Sequence, residues 1–166
     1  YSSLDPAFKQ VFKQSHASTI MYNFVLNYAE YLNDIQISFP FRTILYIDGA
    51  NNKEIEFMLQ HTNAIKAILT EFECGAYKKC VNDVFNYYPD AWDRAIAINI
   101  LCDNEQCRQM LIEKDIMFFM KKGLMIQQKT SVETRRLYKT ICNILAKITG
   151  NPENFKYFYK YFNPKR

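Results

Sequence analysis

Glycine and proline are scarce in this chain of 166 residues, with four and five respectively, and there is a single tryptophan and only two histidines. So few breakers exclude a low-complexity, disordered chain and read as punctuation between ordered elements. No apolar run approaches the roughly 20 residues that a membrane-spanning helix needs. Five cysteines (74, 80, 102, 107 and 142) are present, but no pair has CxxC spacing. Cys102 and Cys107 lie five apart, which fits tetrahedral zinc poorly, and His16 and His61 are too isolated to complete a site. An odd number of unmatched cysteines reads as reduced, half-buried thiols, and so as a cytoplasmic or nuclear protein. The first residue is Tyr1 rather than Met, which reads as a segment of a larger protein.

Chemistry-bearing motifs are missing as well. There is no GxSxG, HExxH, phosphate-binding loop or GxGxxG. The carboxylate pairs Glu54/Glu56 and Glu71/Glu73 stand two apart, which on a helix turns them to different faces. No catalytic residues, metal ligands, cofactor or small-molecule substrate are therefore expected.

What remains is a well-ordered composition, 49% hydrophobic and 23% charged, with a formal net charge of +4. That charge is too weak to argue for nucleic acid alone. Its cations gather late: Lys121, Lys122, Arg135, Arg136, Lys139, Lys147, Lys156, Lys160, Lys165 and Arg166.

Helical periodicity runs through most of the chain. Ile20, Phe24, Tyr28 and Leu32 recur every four residues and predict a helix from about His16 to Asn33. Cys80, Val84 and Tyr88 predict another, and Ile141, Ile144, Leu145 and Ile148 a third. Gly49, Gly75, Gly123 and Gly150 fall where apolar stripes stop and read as helix closers. Asn151-Pro152 reads as an N-cap followed by proline at the first helical position. Only Ile35 to Phe39 alternates with period two, and before Pro40 it reads as a connector. Nine or ten helices of 8 to 18 residues result, with no sheet.

Three segments share one pattern, an apolar helix end, an Asn-rich cap and a fresh amphipathic helix. Thr43-Ile44-Leu45 leads to Asn51-Asn52-Lys53-Glu54 and Met58-Leu59. Asn99-Ile100-Leu101 leads to Asp103-Asn104-Glu105 and Met110-Leu111. Asn143-Ile144-Leu145 leads to Asn151-Pro152-Glu153-Asn154 and Phe158-Tyr159. The Met-Leu pairs lie 52 residues apart, and Asn99 and Asn143 lie 44 apart. Thr43 and Asn99 are separated by 56, and Tyr77–Tyr88 reads as an inserted helix.

On these residues the chain resembles the armadillo-repeat family, or a degenerate armadillo or HEAT-like array. That family's three-helix unit ends in an apolar-Asn-apolar signature and runs into an NPEN-like start. Its usual glycine between the first two helices is replaced here by His61-Thr62 and Lys114-Asp115. The resemblance covers about residues 40–162. It implies one all-α domain over 1–166, a right-handed α-solenoid in which 1–39 form N-terminal cap helices and 40–162 form two to three repeats. Asn104–Lys114, Ile116–Met125 and Val132–Thr149 become the three helices of one unit.

The resemblance further implies a non-catalytic scaffold or adaptor that binds a peptide or helix of another protein on a concave face. Asn99 and Asn143 would bond a peptide backbone there; equally, they would tie one repeat to the next. Trp92 and Arg136 stand seven residues before each Asn, and Lys139 and Lys147 one turn to either side of Asn143. Such a stripe suits an acidic or phosphorylated segment. A nucleic-acid-binding helical repeat is the alternative function. A HEAT-like DNA glycosylase has only Asp93 beside Trp92 to support it. The closing stretch Phe155 to Phe162 interleaves aromatics with lysines. Its spacing predicts an amphipathic helix with Phe155, Phe158, Tyr159 and Phe162 inward; its other reading is a surface for single-stranded nucleic acid.

Overall fold

Side-chain oxygens mark the helix starts. In the computed structural model, which describes residues 5–77, 88–125 and 132–163, Asp5, Asn33, Asn52, Asn104 and Asn151 each accept a hydrogen bond from a backbone N–H in the following turn. Those N–H groups have no partner within their own helix, so each cap removes an unsatisfied donor. Among the described residues there are ten α-helices, and no strand. They cluster into two compact units, 1–68 and 69–166.

In the first unit α1 (Pro6–Gln14) turns through His16 into α2 (Ala17–Tyr28), and a 3-10 turn over Ala29–Tyr31 leads to α3 (Asp34–Asp48). Then come α4 (Lys53–His61) and the start of α5 (Ala64–Tyr77), which crosses the unit boundary. α2 lies along α3, with α1 against both. Tyr22 meets Phe57 of α4 edge to face at 5.3 Å. Val25, Phe41, Ile44, Leu45, Ile55, Met58 and Ile68 are sealed from solvent, each stabilising by about 1.5–3 kcal/mol. α1 buries no residue and α2 only Val25, so Phe8, Val11, Ile20 and Phe24 remain exposed.

Here the structure corrects the sequence reading of Ile35 to Phe39, which belong to α3 rather than to a connector. A reciprocal capping box joins Asn33 and Gln36 and starts the helix before them. Pro40 then lies inside α3, where the ring removes one backbone N–H donor. Ile37, Ser38 and Phe41 are all buried, and their packing outweighs that loss.

The second unit continues with α6 (Tyr88–Leu101), α7 (Glu105–Glu113), α8 (Ile116–Leu124), α9 (Val132–Thr149), a 3-10 turn at Pro152–Asn154 and α10 (Phe155–Phe162). α6 lies along α9, which also packs on α8, and α10 rests on α8 and α9. Ala91, Ala95 and Ile98 form a buried stripe on α6, continued by Cys102 just after it, and Leu137, Ile141, Ile144 and Ile148 form that of α9.

Glycine usage differs from the sequence reading at two positions. Gly49 closes α3 with φ of 80°, and Gly150 follows α9. Gly75 and Gly123, however, sit inside α5 and α8. At Gly123 a Cβ would come within 2.7 Å of Ile141 Cδ1 and 2.9 Å of Phe72 Cζ, so the residue serves helix approach. Backbone freedom is required instead at Asp115, which joins α7 to α8 with φ of 60°.

The inward face of α10 is also shifted. Tyr157, Phe158, Tyr161 and Phe162 are half-buried, whereas Phe155 and Tyr159 are exposed. Nearly every position of this helix is apolar or aromatic, so periodicity permits several faces. Tertiary contacts choose one: Tyr161 donates to Asp115, and its ring packs against Phe118 at 6.2 Å. The expected helix at Cys80 and Val84, and most of the inserted segment Tyr77–Tyr88, lie outside the described residues.

Candidate functional site

Three cross-links fix how α6 and α9 run relative to each other. The Arg136 guanidinium lies over the Trp92 ring, 5.3 Å from its centroid. Further along, Lys147 Nζ is 2.7 Å from Asp103 Oδ1, just beyond α6, and 3.1 Å from the Asn99 backbone oxygen, to which it donates. Advancing along α6 from residue 92 to 103 therefore advances the contact on α9 from 136 to 147. The two helices are parallel, and a constant offset of 44 residues relates Trp92 to Arg136 and Asp103 to Lys147.

Asn99 and Asn143 obey the same offset and so occupy equivalent levels of the pair. Their environments differ. Asn143 is exposed on α9, in a strip with Arg135, Arg136, Lys139 and Cys142. Asn99 is partly covered, and its buried Oδ1 accepts no hydrogen bond from the protein among the described residues. Lys139 is exposed, one turn from Arg136, with no acidic partner among the described residues. Lys147 is held by Asp103, so Arg135, Arg136 and Lys139 are the exposed cations of this strip.

All six residues singled out by sequence thus fall on the α6/α9 pair. The structure joins Trp92 to Arg136 and Asn99 to Lys147, and leaves Lys139 and Asn143 open beside them. Asp103 was missed. The 44-residue spacing, applied to Lys147, points to it.

Carboxylates elsewhere are tied to separate neighbours. Glu71 accepts from Arg94 at 3.3 Å and Glu73 meets Lys122. The buried Asp93 forms an ion pair with Arg94 at 3.7 Å. Burial pushes the Cys102 thiol up to about 12, against the pull of Lys147 and Arg108, and the Cys107 thiol up to about 11. Neither is a nucleophile at neutral pH. Among the described residues no helix is long and apolar enough to cross a membrane.

A polar cleft of about 590 Å³ opens beside the starts of α7 and of the turn before α10, lined by Asn104, Glu105, Arg108, Gln109, Asn151 and Asn154. The Asn-capped starts of α7 and of that turn form its walls. No protein-family model, curated protein or solved structure matches the chain.

Proposed function

We propose that this chain is a degenerate armadillo- or HEAT-like segment, a right-handed α-solenoid that acts without catalysis as a scaffold in the cytoplasm or nucleus. Its partner is an extended acidic or phosphorylated peptide of another protein, held along the α6/α9 face. The parallel register of α6 and α9 carries this reading, because it sets Trp92 with Arg136, Asn99 with Asn143 and Asp103 with Lys147 at matching levels. Side-by-side stacking of equivalent helices is what a repeat array produces. The recurrence of a short Asn-capped helix at the head of three supports it, since α4, α5 and α6 are followed by α7, α8 and α9, with Asn52 capping α4 and Asn104 capping α7.

The charge of this face supports the peptide class. The outward charge on this face is that of the Arg135 and Arg136 guanidiniums, forks that pair bidentately with carboxylate or phosphate, and the Lys139 ammonium. The exposed Asn143 amide offers both donor and acceptor to a peptide backbone.

Fluorescence anisotropy with a labelled Asp/Glu decapeptide, its phosphoserine counterpart and a Lys/Arg control tests the reading. The acidic peptides should bind and the basic one should not. Arg136→Glu with Lys139→Glu should weaken binding at least about tenfold by charge reversal. Replacing both Asn99 and Asn143 by Ala should also weaken it, with the melting temperature nearly unchanged. Binding of an oligonucleotide at this same face, with the acidic peptides ignored, would instead favour the nucleic-acid reading.

A further inference from the structure

The last helix carries an aromatic pair that its own packing leaves uncovered. Phe155 is 40% exposed and Tyr159 56% exposed. One turn apart, they stack on each other with centroids 6.0 Å apart and planes 28° from parallel. Exposed aromatic rings of this size are costly in water, and here two stand side by side.

The same outward side holds Lys156 and Lys160, the second 62% exposed. Lys156 Nζ lies 4.9 Å from the Tyr157 ring centroid. Lys160 Nζ lies 4.8 Å from that of Tyr161 and 3.7 Å from Asp115 Oδ2. Its bond to Tyr161 raises the Lys160 pKa, with Asp115 adding to the rise, so the ammonium stays charged at neutral pH. α10 itself contains no acidic residue.

We propose that this outward face of α10 binds single-stranded nucleic acid, with Phe155 and Tyr159 stacking on unpaired bases and Lys156 and Lys160 meeting the flanking phosphates. Aromatic rings interleaved with cations are the two elements by which such strands are held without sequence readout. A membrane surface fits less well. The broad apolar face that would enter lipid, Tyr157, Phe158, Tyr161 and Phe162, is half-buried against the fold. The site is separate from the α6/α9 strip and does not depend on the peptide reading.

The test is anisotropy of a labelled oligothymidylate of about twelve nucleotides, within the range one binding module covers, at salt from about 50 to 200 mM. Binding should weaken with salt. Phe155→Ala and Tyr159→Ala should each cost at least about fivefold in Kd. Phe155→Tyr and Tyr159→Phe should retain binding, which separates stacking from folding. Lys156→Gln and Lys160→Gln should each flatten the salt slope by about 0.7. An acidic peptide should not displace the strand, and Arg136→Glu with Lys139→Glu should leave it bound. The proposal is overturned by an absence of binding, by equal affinity for the duplex form, or by indifference to both alanine variants. It also fails if the protein ignores the oligonucleotide and adheres through Phe155 and Tyr159 to phosphatidylserine vesicles.

Discussion

Arg136 lies over the ring of Trp92, a contact between parallel helices whose residues are 44 positions apart in sequence. Eleven residues along, Asp103 and Lys147 repeat the same offset as an ion pair at 2.7 Å. Both contacts are partly open to solvent, so they report register more than they stabilise the pair.

Double-mutant cycles on the two contacts should each give a small coupling. Removing Arg136 and Trp92 should reveal about 0.5–1 kcal/mol. Removing Asp103 and Lys147 should reveal less than about 1 kcal/mol, declining as salt rises. Chemical denaturation of the singles and doubles measures both, and a zero coupling for both pairs would contradict the register.

Gly123→Ala should destabilise the protein by about 1–3 kcal/mol, the usual cost of forcing a methyl into a packed core. The added Cβ meets Ile141 and Phe72, each fully buried and unable to swing into solvent. Adding Ile141→Val removes the nearer clash. The double variant should therefore be more stable than the sum of the two single effects allows. Thermal melts decide it.

At Asp115 the backbone, more than the side chain, should set the outcome. Its φ of 60° is costly for residues with a Cβ and free for glycine. Asp115→Gly and Asp115→Ala lose the same contacts to Tyr161 and Lys160. The alanine variant should nonetheless be less stable than the glycine variant by about 1 kcal/mol. Urea midpoints of the two would show equal stability if the strain were absent.

Thiol chemistry should follow burial. Cys142 is exposed, while Cys102 and Cys107 are buried. Iodoacetamide at about pH 8 should label Cys142 in the native protein and reach the other two only on unfolding. The raised thiols also give a pH dependence. In the unfolded chain these groups ionise near 9.0, whereas the folded values are about 12 and 11. Above pH 9 the unfolded state binds fewer protons, so stability falls as pH rises through the folded values. Replacing both cysteines by Ala should flatten that fall in urea titrations between about pH 9 and 11.

Helix starts were legible because their physics is local. Asn104 and Asn151 cap through side chains acting within three residues; the limits expected for α7, α8 and α9 come from the resemblance to a three-helix unit and lie within one residue of those observed. The six candidate residues come from the resemblance, through Asn99 and Asn143, and from helical spacing around those two; their positions on α6 and α9 follow from where those helices lie. Pro40 misled because a breaker's local cost was weighed without the burial of Ile37 and Phe41. Gly123 misled because a glycine that permits close approach looks the same in sequence as one that ends a helix.

By itself, then, the sequence determined an all-helical chain and where most helices begin, since caps and periodicity act over one or two turns. Tertiary structure alone decided which face of α10 turns inward, that Lys147 is taken by Asp103, and that α6 and α9 run parallel. Those outcomes depend on groups 43 to 48 residues apart, whose meeting is set by packing rather than by any local preference.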